Sequence, residues 1–169
     1  IAFYKSNSLK WAGIHVTAPN TGLLAGVGTV FPPSTSTLSE VTDYTINIWK
    51  GWTGNKPEKL LYTYPEPGST NGRIQWSPDE FRDGGWAYIS IADENILLYE
   101  GYEYYVEINY NGTGAMYFFD QGIYSHDKAD GKSYFRGGIQ DDCTSLNDLS
   151  DALYGDWNIR VVLSGLDDF

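Results

Sequence analysis

Carboxylates are the most plentiful reactive side chains in this sequence, with 22 Asp and Glu against 11 Lys and Arg and 2 His. A glycoside hydrolase needs two of them facing one cleft. Glu103 and Glu107 share a face of the alternating stretch Tyr102 to Tyr110. Four residues of strand put their Cα atoms roughly 13 Å apart, too wide for a retaining pair. The simpler reading is two solvated strand-face glutamates. His15 and His126 are far apart and form neither an HExxH nor an HxH pattern, so a zinc hydrolase lacks its ligands. No GxSxG elbow is present, and the GVG and GTG triplets at 26–28 and 112–114 do not open helices. Cys143, the single cysteine, sits in DDCTS, where neighbouring acids disfavour the thiolate. It reads as structural or incidental. A glycan-active enzyme using Glu103 or Glu107 is therefore the least favoured of three readings, and the expectation is no enzyme.

Calcium is a better use for the acids. Asp120, Asp127 and Asp130 fall in the polar segment DQGIYSHDKADGKSY, where carboxylates and free carbonyls can supply the six to eight oxygens that calcium takes. The alternating acid spacing of an EF-hand is missing. A second group is Asp141, Asp142, Asn147 and Asp148. The plainer reading of both is solvated loop acids.

Aromatic residues suggest binding. If Ile46 and Ile48 face a core, alternation turns Trp49 the other way, and the same rule turns Trp86, Tyr88 and Tyr105 outward. Trp52 lies in a Gly-rich stretch and is expected to be partly exposed. Flat rings can cover the apolar face of a sugar while Asn, Glu and Arg neighbours bond its hydroxyls. Trp49, Trp52, Trp86, Tyr88 and Tyr105 are thus the expected ligand contacts. The competing reading covers both sheet faces and makes these rings core or interface.

The elements that must position these groups read as strands. Fourteen Tyr, seven Phe and six Trp suit pleated, half-buried surfaces, and no window holds helical spacing for three turns. Strands are expected at 11–16, 23–31, 43–49, 60–64, 72–76, 86–91, 102–110, 115–120, 133–135 and 157–163. Residues 50–59 read as a loop, Asp93 to Asn95 as a turn, and Ser77-Pro78 as the cap of one helical turn. Asn111-Gly112 signals a hairpin returning 115–120 against 102–110. Together these predict an all-β fold, a two-sheet antiparallel sandwich of the jelly-roll kind, with residues 1–169 as one domain. The abrupt opening on IAFYK reads as a piece excised from a longer chain, so a targeting segment could lie outside it. A net charge of −11 with no basic cluster argues against nucleic acid and anionic membrane as partners. No apolar run is long enough for a transmembrane helix.

The phrases YTINIWKG with NKPEKLLYTY, GGWAYISI leading into EGYEYYVEINY, and the closing GDWNIRVVLSG give the chain from about Asp43 onward a recognisable rhythm. It resembles secreted bacterial β-sandwich modules, similar to the cleaved-adhesin and haemagglutinin domains of gingipain-type proteases. The resemblance implies a noncatalytic jelly roll appended to a secreted enzyme or surface adhesin, often with structural calcium. The implied partners are a glycan or cell-surface polymer and other domains of the parent chain. The alternative is a structural or protein-adhesion domain with no sugar site. The segment from Asp120 to Ser125 does not match the family's turn motif, and residues 140–154 form an unusual insertion.

Overall fold

The computed structural model describes residues 2–4, 11–30, 40–66, 73–76, 86–110, 117–119, 132–137, 143, 146–148, 157 and 159–165. Among them are thirteen strands, β1 to β13 in chain order, and one 3-10 turn at Ala92–Glu94. The larger sheet runs edge to edge as β12 (Asn147–Asp148), β11 (Ser133–Arg136), β2 (Trp11–Thr17), β9 (Glu103–Tyr110), β4 (Glu40–Thr53) and β5 (Lys56–Tyr64). Strand β6 (Arg73–Trp76) pairs with the first residues of β4. The smaller sheet is β13 (Ile159–Ser164), β3 (Gly22–Val30) and β7 (Trp86–Ser90), with β8 (Leu97–Leu98) also on β3. A separate two-stranded ribbon joins β1 (Ala2–Tyr4) to β10 (Tyr117–Phe119). Every pairing is antiparallel. The fold is an all-β sandwich, as the alternation predicts.

Alternation explains the main core. Ile46 and Ile48 of β4 stand opposite Ile108 and Val106 of β9, and Ala12 and Ile14 of β2 meet the same two residues from the other side. This stripe packs against Leu24, Val27, Ile89, Leu98 and Ile159 of the smaller sheet. Ile46, Ile48, Val106 and Ile108 are fully buried. Each such side chain contributes about 1.5–3 kcal/mol relative to exposure.

Two expectations are corrected, and the turn expected at 93–95 is present. Strands β2 and β4 occupy both edges of β9, so β10 has no place beside it and pairs with β1 instead. Residues 50–59 are not a loop: β4 continues to Thr53, and β5 starts at Lys56 after a two-residue turn. The turn at 93–95 is one turn of 3-10 helix closed by Asn95 in the left-handed region, φ 53°. The helical turn expected after Ser77 and the Asn111-Gly112 hairpin loop lie outside the described residues.

Candidate functional site

The outer face of the larger sheet carries a second, chemically different packing layer. It is built on Trp11, Gly13 and His15 of β2, Glu103, Tyr105, Glu107 and Asn109 of β9, Asn47 and Trp49 of β4, and Tyr134 and Arg136 of β11. Trp49, Tyr105, Tyr134 and Leu146 form a buried cluster with Trp52, Leu60 and Cys143 packed against it. Gly13 makes room for Tyr105: a Cβ there would lie 2.6 Å from its Cζ and hydroxyl oxygen and 2.7 Å from the Glu107 Cβ.

Glu107 is the centre of this face. It is fully buried, and four donors converge on its carboxyl. Arg136 donates from Nε to Oε2 at 2.9 Å and from Nη2 to Oε1 at 2.7 Å. Asn47 Nδ2 and Trp49 Nε1 donate to Oε1 at 3.0 and 2.9 Å. Thr63 then donates to Asn47 Oδ1 at 2.9 Å, extending the network to β5. The Arg136 guanidinium lies 4.7 Å over the Trp11 ring. Burial works against the Arg136 cation, but the hydrogen bonds and charge of Glu107 outweigh it and raise its pKa. The two-pronged, charge-assisted geometry is the strong form of this pair.

Three buried polar atoms of the face lack a hydrogen-bond partner among the described residues: Trp11 Nε1, Tyr105 Oη and Asn109 Oδ1. Burial pushes the Tyr105 phenol well above its ordinary pKa, and the nearby Glu107 carboxyl adds to the shift.

The face opens toward solvent where Trp52 of β4 reaches across β9 to His15 of β2. Trp52 is partly buried and stacks on His15, with ring centroids 4.2 Å apart and planes 7° from parallel. The far side of the His15 environment is polar: its Nε2 is 3.1 Å from Oε1 of Glu103, whose side chain is about half exposed. Strict alternation from Trp49 would send Trp52 to the opposite face. Gly51 prevents this, because its φ of 80° lies in the left-handed region that breaks the pleat.

The residues expected to meet ligand are therefore spread over three environments. Trp49 and Tyr105 do point away from the main core, but they are 5% and 0% exposed, so their expected exposure is corrected. The second layer covers them. Trp52 is partly open on the same face. Tyr88 is 56% exposed but belongs to β7 of the smaller sheet. Trp86 starts that strand, and its side chain lies outside the described residues. Asp120, Asp127 and Asp130 also lie outside them. Among the described residues no group of three His, Cys, Asp or Glu side chains is arranged to hold a metal. Glu107 is not the solvated glutamate that base rates favour. Its alternation with Tyr105 was legible, but its partners Asn47 and Arg136 come from strands 60 and 29 residues away. No protein-family model matches the chain, and no curated protein or solved structure matches it.

Proposed function

We propose that this chain is a noncatalytic carbohydrate-binding module of a secreted or cell-surface protein, using the open end of the larger sheet's outer face. The observation that carries the reading is the Trp52–His15 stack beside the half-exposed Glu103 carboxyl. An aromatic plane with polar groups at its edge suits a sugar ring, whose apolar face and hydroxyls need both. Glu107 supports a noncatalytic role, since its oxygens are committed to four protein donors.

A glycan array with the native chain and Trp52→Ala tests this. Binding by the native chain and a loss of about tenfold or more in the variant are expected, which corresponds to about 1.4 kcal/mol. Native protein that binds no glycan would sink the reading. Because Trp52 also packs against the second layer, melting of both proteins is recorded alongside.

Structural calcium at Asp120, Asp127 and Asp130 belongs to the same proposal. A melting temperature lowered by EDTA and restored by calcium is expected, because an ion bound only to the folded state must stabilise it. A second reading, a structural or protein-adhesion domain, is favoured by the burial of Trp49 and Tyr105.

A further inference from the structure

The turn between β8 and β9 holds two tyrosine rings in solvent, and the site described above does not use them. Tyr99 and Tyr102 are 46% and 53% exposed. Their ring centroids are 6.0 Å apart with planes tilted by 58°, so the rings form a shallow wedge. Lys50 Nζ sits over both, 4.6 Å from the Tyr102 centroid and 5.4 Å from that of Tyr99.

The backbone beneath is held at every donor. The N–H of Tyr99 bonds the hydroxyl of fully buried Tyr104 at 2.9 Å, and that of Glu100 bonds Thr21 Oγ1 at 3.0 Å. The N–H of Gly101 bonds the Ala18 carbonyl at 2.9 Å, and that of Tyr102 bonds the Tyr99 carbonyl at 3.1 Å. The Ala18 N–H returns a bond to the Tyr102 carbonyl at 3.0 Å. A rigid turn presenting exposed aromatic rings loses little conformational freedom when a ligand arrives. The half-exposed rings suit sugar C–H groups. The phenol hydroxyls and the ammonium suit sugar hydroxyls.

Register puts this wedge at the same end of the sandwich as Trp52. Lys50 stands opposite Tyr104, while His15, which carries Trp52, stands opposite Tyr105. Lys50 and Trp52 flank Gly51 near the end of β4, Lys50 on the side of Tyr104 and Trp52 on the outer face with Tyr105, so a ligand joining them would pass around this end of the sheet. Tyr102 immediately precedes Glu103, the partner of His15. Glu100 lies between the two tyrosines and Glu103 follows Tyr102, and although Lys59 stands opposite Lys50, the chain's net charge of −11 weighs against a polyanion.

We propose that Tyr99, Tyr102 and Lys50 form a second sugar subsite, so that the module binds along a neutral polysaccharide chain rather than a single sugar. This rests on the carbohydrate reading of the Trp52 site. Two subsites on one chain make affinity depend on ligand length, because the second contact becomes intramolecular.

The test is calorimetric titration of the intact chain with cello-, xylo-, manno- and β-1,3-gluco-oligosaccharides, from disaccharide to hexasaccharide. The native protein should bind at least one series, with affinity rising about tenfold or more along it. A Tyr99→Ala/Tyr102→Ala variant should lose that rise and keep the affinity for the shortest ligand. Lys50→Gln, which leaves both rings in place, should weaken the longer ligands alone. A rise with length that survives in both variants overturns the second subsite and leaves the Trp52 reading standing. Failure of the native protein to bind any series overturns both. Tighter binding of a polyuronate than of the neutral oligomers overturns the neutral-chain assignment.

Discussion

Glu107 and Arg136 show how much a single buried pair can demand of its neighbours. Both side chains are almost completely withdrawn from water. Their attraction offsets desolvation only because the carboxyl also receives Asn47 and Trp49. Removing one partner leaves the other uncompensated, so Arg136→Met should cost about 3–5 kcal/mol in urea unfolding. Adding Glu107→Leu to that variant should recover part of the loss. Strict additivity of the two single changes would show that the pair does not act as a unit. Tyr105 makes the opposite case. Its hydroxyl is buried without a partner among the described residues, so Tyr105→Phe should be neutral or stabilising by up to about 1 kcal/mol. A clear loss of stability would mean that the hydroxyl is satisfied in solution.

At the scale of the strand, the alternation of β2, β4 and β9 was readable from residue types alone. It assigned Ile46, Ile48, Val106 and Ile108 to one face and Trp49, Tyr105 and Glu107 to the other. What covers the second face was not readable. Tyr134 falls in the strand expected at 133–135, but nothing local says that this strand lies beside β2 or that Cys143 and Leu146 pack over the same face. The extension of β4 was missed for a related reason: Gly51 and Trp52 look like loop residues, and turn chemistry was read where a distorted strand continues. Tyr99 and Tyr102 gave no signal either, because their exposure follows from the tertiary hydrogen bonds of one turn. Two glycines should therefore respond in different ways. Gly51→Ala must hold a side chain at φ 80° and push into Glu58, so a loss of at least about 1–2 kcal/mol is expected, with Trp52 fluorescence altered. Gly13→Ala places its Cβ against the Tyr105 ring and should displace that ring from the second layer. An unchanged unfolding midpoint for Gly13→Ala would show that Tyr105 can leave Gly13 at no cost.

For the whole molecule, the two faces of the larger sheet make different contributions. The inner face holds the sandwich together by apolar burial. The outer face adds a covered layer in which aromatic rings surround an ion pair and ionisation is penalised. This difference predicts how stability depends on pH. Burial, reinforced by Glu107, raises the Tyr105 pKa well above the ordinary value of about 10. Tyr62 is raised as well, first by burial and then by its hydrogen bond to Glu94. Above about pH 10 the unfolded chain therefore releases protons that the folded chain keeps, and stability must fall as pH rises. Below about pH 9 neither tyrosine contributes a slope, because both states hold the proton. The acidic surface adds a general loss at alkaline pH through self-repulsion, which the native chain shares with any tyrosine variant. Urea unfolding from about pH 8 to pH 11 of the native chain, Tyr105→Phe and Tyr62→Phe separates these terms. The variants should lose stability less steeply at the alkaline end, Tyr105→Phe most of all. Parallel curves for all three proteins would mean that Tyr105 ionises in the folded chain as readily as in the unfolded one, and that the outer layer admits solvent.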